Sequence, residues 1–155
     1  MKMNKIELYD GKLSFWLPET YEQIPAEEAK NYFSVGQPEY LYMNKNVKSF
    51  VTVTGSGQSL KKEQTEERLA QYYNTYRRIT PGFKAGKMSK KESGKTVIGA
   101  FHYQSTTIDR DMFNLFALTA VKGGEKVLTM HCEVKDSMDE GLQFMKLLSS
   151  VTVSE

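Results

Sequence analysis

The sequence predicts one α+β domain over residues 1–155, an α/β/α sandwich around a central, mainly antiparallel sheet. Three observations carry this reading. Four apolar segments follow one another between Lys84 and Val134 with only tight-turn sequences between them, which describes an antiparallel meander. One of them, Met112 to Val121, is apolar on both faces: Phe113, Leu115, Ala117 and Val121 on one, Met112, Phe116, Leu118 and Ala120 on the other. A strand wet on one side would alternate with polar residues, so this one needs cover on two sides. Two amphipathic helical stretches, 59–78 and the segment after Asp136, are available to supply it. The alternative is a two-layer, cystatin-like α+β fold with one sheet face in water.

Leu13, Phe15 and Leu17 alternate with Ser14 and Trp16, the period of a strand, and Pro18 ends it. The run from Pro25 to Phe33 predicts a short helix, with proline in its first turn and Glu27 and Glu28 at the positive end of its dipole. A hairpin is predicted next, Glu39 to Met43 and Ser49 to Thr54 joined by Asn44-Lys45-Asn46, with Gly55-Ser56-Gly57 ending the second strand. From Ser59 to Arg78 the period becomes helical, burying Leu69, Tyr72, Tyr73, Tyr76 and Ile79 until Pro81-Gly82 stops it. The meander comprises Phe83–Lys91, Val97–Ile108, Met112–Val121 and Lys126–Val134, turning at Ser93-Gly94, Asp109-Arg110 and Gly123-Gly124. Asp136 is placed to cap a closing helix whose inward stripe reads Met138, Leu142, Met145 and Leu148, broadened by Phe144, Leu147 and Val151.

Composition narrows the functions. The 39% apolar and 26% charged fractions are those of a globular chain, and a net charge of +2 supplies no global pull toward nucleic acid or anionic membrane. A single cysteine, Cys132, excludes an intramolecular disulfide and a cysteine zinc cage, and fits a reducing compartment. No apolar run of about 18 residues could span a bilayer. The N-terminal residues lack the apolar core of a signal peptide, so a cytoplasmic location is expected.

No motif for catalysis stands above the structural background. Ser93-Gly94-Lys95-Thr96 has the ending of a phosphate-binding loop, but Ser89 occupies the position of its first glycine and a strand follows, so a hairpin turn is expected. Gly55-Ser56-Gly57-Gln58-Ser59 lies where a strand-to-helix connection could hold an anion, yet it lacks a third glycine and a βαβ setting. It reads as a plain connection with Ser59 as helix cap. His102 and His131 are too few for a three-histidine metal site. His131 and Cys132, adjacent on one strand, must face opposite ways and cannot form a dyad; Cys132 is expected to be an inert core thiol. Neither a cofactor nor a metal is called for, and an enzyme is not expected. The strongest charge asymmetry is a basic patch of Arg77, Arg78, Lys84, Lys87, Lys90 and Lys91, continued by Lys95 and opposed by Glu92 alone. It suits an acidic protein, or lysines guarding a sheet edge; with Phe83 its only aromatic, nucleic acid is disfavoured.

The order of elements, from the Tyr9-Asp10-Gly11 turn and Leu17-Pro18-Glu19 through the hairpin, long helix and meander to a closing Phe144-Met145-Lys146-Leu147-Leu148-Ser149-Ser150 helix, resembles the Mog/PsbP-like fold family. The likeness covers nearly the whole chain and is greatest to the bacterial branch of that family whose role is uncharacterised. The resemblance implies the α/β/α sandwich and a non-enzymatic, protein-binding or adaptor role; one bacterial branch of the fold shields apolar effector segments in type VI secretion. None of that family's metal or partner-contact positions is matched here. Another protein is therefore the expected partner. The competing reading is a small-ligand-binding domain with a pocket between the sheet and the 59–78 helix.

Overall fold

The structure, a computed structural model, describes residues 2–33 and 36–154. In chain order the elements are β1 (Met3–Leu8), β2 (Leu13–Pro18), β3 (Glu22–Gln23), α1 (Ala26–Ala29), β4 (Tyr40–Asn44), β5 (Ser49–Ser59), α2 (Thr65–Ile79), β6 (Lys84–Ala85), β7 (Ser89–Ser93), β8 (Thr96–Thr106), β9 (Asp111–Val121), β10 (Gly124–Glu133), α3 (Ser137–Ser150) and β11 (Thr152–Val153). The large sheet runs β3-β4-β5-β10-β9-β8-β6, with β7 also on β8, and its pairings are antiparallel. A small sheet, β1-β2-β11, stands apart from it.

Both faces of the large sheet are covered, as the apolar strand required. On one face Leu115, Ala117, Leu128, Met130 and Cys132 pack against Leu13, Phe15 and Leu17 of the small sheet, against Phe144 and Leu147 of α3 and against Val151 just after it. On the other, Phe101, Tyr103, Phe116 and Leu118 meet Leu69 and the tyrosines of α2. Phe116 is 1% exposed, and half-buried Phe113 packs on the opposite core. The two-layer alternative is thereby excluded. The N-terminal strand and α3 share one face and α2 has the other, so two different parts of the chain close the sandwich.

Several boundaries depart from expectation. Gly55–Ser59 does not end the strand or join it to a helix. It continues β5 along β10, pairing Gly55 with Lys126 and Ser59 with Gly124. Four steps on one strand oppose two on the other, which is a bulge, and Gly57 at φ +82° adopts the left-handed turn it needs. Ser59 is thus a strand residue, and α2 starts only at Thr65, after a single 3₁₀ turn. The stretch 83–91 divides into β6 and β7 around Gly86. A Cβ there would lie 2.4 Å from the His102 ring, so glycine is the residue that fits. The helix expected over 25–33 is reduced to the four residues of α1. The last hairpin turns one residue early, at Lys122 and Gly123, both with positive φ as a type I′ turn requires. The short strands β1, β3 and β11 have no periodic signature and were not anticipated.

Candidate functional site

The clearest departure from the sequence pattern lies on α3. Three of the four residues of its predicted inward stripe point out, Met138 being 88% exposed, Leu142 58% and Met145 45%, while Phe144, Leu147 and Val151, expected only to broaden that stripe, are buried. The buried face is instead Glu140, Gly141, Phe144 and Leu147, with Leu148 half-buried. Glu140 anchors this choice, its Oε1 accepting from the Tyr21 hydroxyl at 2.9 Å and the Ser49 hydroxyl at 2.8 Å. Desolvation beside that carboxylate pushes the Tyr21 phenol upward, so it stays a donor. Gly141 faces the Phe113 ring, which a Cβ there would meet at 3.4 Å, an ordinary van der Waals contact. Asp136 sits at the helix N-cap without a side-chain bond to the first turn. Met138, Leu142 and Met145 fall at i, i+4 and i+7 and make one outward apolar ridge. The backbone N–H of half-exposed Trp16 donates to Ser150 Oγ at 3.0 Å, which places Trp16 beside the C-terminal turn of the same helix.

α2 behaves as its pattern predicts, except that Ile79 is exposed. The Tyr72, Tyr73 and Tyr76 rings pack on Phe101, Phe116 and Phe83 at centroid distances of 4.9 to 6.2 Å. That filling occupies most of the space between helix and sheet; the cavity left there, beside Thr65, Leu69, Met88 and Gly99, is about 140 Å³, below the range of about 300–1,000 Å³ usual for small-molecule sites. Glu125, buried to 1% exposure, fastens α2 to β10 by accepting from Arg68 Nη1 and from the Tyr72 hydroxyl. Sequence reasoning missed this carboxylate because Glu125 beside a Gly-Gly turn reads as solvent-facing.

α2 does not reach the far end of its face. There a polar seam crosses the sheet: Thr52 and Thr129 share a hydrogen bond, and His131 meets Asn114. Asn114 Nδ2 donates to Ser105 Oγ at 3.0 Å, so its Oδ1 is the acceptor for His131 Nδ1–H at 2.6 Å. Burial depresses His131 to about 4, so the ring is neutral near pH 7. Beside the seam opens a cleft of about 410 Å³ walled by Met43, Phe50, Met112 and Tyr32, with Lys45, Lys48, Arg110 and Glu133 around it. A cavity of about 500 Å³ at the opposite end of the sheet is bordered by Lys61, Lys62, Lys95 and Lys122, the last paired with Asp10 at 3.4 Å.

The other expected site residues are dispersed. Cys132 is wholly buried on the α3 face, its thiol pushed up to about 12 by desolvation, while His131 faces the other way, as alternation required. Exposed His102 stacks on Phe113. Ser93-Gly94 is a hairpin turn with Gly94 at φ +58°. The basic residues divide between two faces: Lys90 pairs with Glu66 of α2 at 3.1 Å, whereas Lys91 donates to Ser149 O of α3 at 2.8 Å and burial lowers its pKa. Arg77, Arg78, Lys84 and Lys87 are exposed. No group of three or more metal-ligating side chains gathers among the described residues. Nor is any described helix long and apolar enough to cross a membrane.

This architecture, a large antiparallel sheet with helices on both faces, is the PsbP-like α+β fold. The solution structure of the cyanobacterial PsbP protein (CyanoP) from Synechocystis sp. PCC 6803 matches 98% of this chain and 92% of its own with a TM-score of 0.60 at 12% identity. LpqN of Mycobacterium tuberculosis, described as involved in cell envelope biogenesis, gives 0.64 at 11% identity over 99% of this chain and 91% of its own. PA94 of Pseudomonas aeruginosa, a protein of unknown function suggested to be a regulator, gives 0.57 at 12% identity over 100% and 99%. Identities this low carry the fold alone. No protein-family model matches the chain, and no curated protein sequence matches it.

Proposed function

We propose that this chain is a non-enzymatic protein-binding or adaptor domain of the Mog/PsbP-like family's bacterial branch. Its docking face is the outer ridge of α3. The observation that carries the reading is the outward Met138–Leu142–Met145 stripe. A helix that buries Glu140 and exposes two methionines and a leucine has its apolar surface where a partner can reach it. Flexible methionine side chains also adapt to varied apolar segments. The exposed Arg77, Arg78, Lys84 and Lys87 offer a second contact for acidic residues of that partner. A single domain in the cytoplasm belongs to the same proposal; LpqN's envelope description is the reason to check the location by fractionation.

The test is affinity capture from the source cell with wild type and with Leu142→Asp. Capture of a stoichiometric partner that the variant loses, with folding stability changed by no more than about 0.5 kcal/mol, supports the ridge. Equal capture by both proteins, or none at moderate salt, overturns it. A second reading, a small-ligand-binding domain, is favoured by the cleft beside Phe50.

A further inference from the structure

We propose that the cleft between the β4–β5 hairpin and the start of β9 binds a small amphiphile, an apolar chain or ring carrying one carboxylate or similar anionic head. This rests on the small-ligand reading and moves its site from beneath α2 to the uncovered end of the sheet. The cavity, about 410 Å³, falls in the range of about 300–1,000 Å³ usual for small-molecule sites. Of its apolar walls, Met43 is buried against Leu41 and Ala29, whereas Phe50 and Met112 are only half-buried. Met43 and Phe50 are cross-strand partners, so their side chains share the α2 face. Met112 lies on that face two strands away, and Tyr32, 48% exposed, forms the outer lip. Phe50 is held from behind by the His131 ring at 4.9 Å and from the side by Phe33 at 6.0 Å, so the apolar floor is preformed.

Charge decides the class of head group. The lining carries three cations against one carboxylate. Lys45 is engaged by Glu28 at 3.2 Å, and Arg110 by Asp109 at 3.0 Å and Glu133 at 3.7 Å. Lys48 forms no ion pair with any described residue. Its backbone sits at φ +52°, in the left-handed region where a lysine is strained, which turns the chain back into β5 beside the cleft. An anion at the mouth would gain the Lys48 ammonium without displacing an existing pair, while its apolar part covers Phe50 and Met112.

The methionines allow a direct test. Octanoate, below its micelle concentration, is titrated into protein labelled at the methionine methyls. Saturable shifts are expected at Met43 and Met112 and not at Met138 or Met145. Octanamide and octylamine should bind at least about tenfold more weakly, and Lys48→Glu should weaken octanoate by about the same factor, the worth of one charge-assisted contact. Exposed Lys48 makes that variant a fair test, provided its other methyl resonances superimpose on wild type. Absence of shifts at Met43 and Met112 up to millimolar octanoate overturns the proposal, as do equal shifts with octylamine or unchanged affinity in Lys48→Glu. Saturable binding confined to other methyls overturns this site while leaving the small-ligand reading standing.

Discussion

The two faces of the large sheet are covered by the same means and to different ends. On both, an amphipathic helix packs on the sheet, α2 chiefly on β8 and β9 and α3 on β9 and β10. α2 delivers a stripe of tyrosines onto Phe101 and Phe116 and is clamped at its start by Glu125. α3 lies over an aliphatic core together with the small sheet, and is aimed by Glu140. α2 follows its apolar period. α3 has two apolar stripes, and a buried carboxylate selects the one with Phe144 and Leu147. Apolar periodicity therefore identifies a helix face only where one stripe competes; where two compete, a polar anchor decides.

Three outcomes would break or sharpen this contrast. The largest concerns α3: Phe144→Ala should destabilise by about 3–5 kcal/mol in urea unfolding, because the ring is 1% exposed and its cavity lies under a two-layer cover. A loss below about 1 kcal/mol would mean that the helix can roll onto its other stripe. Next comes the clamp on α2. Arg68→Ala removes the cation from Glu125, whose side chain has no exposure, and should cost about 2–3 kcal/mol, the Tyr72 hydroxyl still serving the carboxylate. An unchanged urea midpoint would show that the tyrosine packing alone fixes α2. The smallest effect probes the seam that α2 leaves uncovered. His131 is depressed to about 4 from an ordinary value near 6.5, so above pH 6.5 it is neutral in folded and unfolded chains alike. Between pH 6.5 and 4 the unfolded chain takes up a proton that the folded one refuses, and stability falls with falling pH. The ring is half-buried, so the loss should be on the order of 2 kcal/mol, and smaller or absent in His131→Gln. Parallel pH profiles for the two proteins would place His131 in water.

Legibility in the sequence followed the strength of local patterns. The meander was readable because β8, β9 and β10 are long and each turn carries glycine or aspartate, whereas the break of 83–91 into β6 and β7 was not; the inside-out placement of Phe113 and Phe116 followed from alternation alone. Gly55–Ser59 was misread, since two glycines signal a break as readily as a bulge, and only pairing with β10 distinguishes them. The apolar ridge was visible as residues but assigned inward, for want of any signal that Glu140 would be buried. The cleft was not legible at all: Met43, Phe50, Met112 and Lys48 come from three strands and a turn, and nothing local links them.

By itself, then, the sequence determined the class of fold, the strand order of the meander, the burial of Cys132 and the opposite facing of His131, because these depend on periods of two and on single turns. Tertiary structure alone decided which stripe of α3 meets the core, which end of the sheet stays open and which carboxylates are buried. Those outcomes depend on partners distant in the chain: Tyr21 and Ser49 for Glu140, Arg68 and Tyr72 for Glu125. A buried charge is stable only where such partners converge, and convergence is a property of the fold.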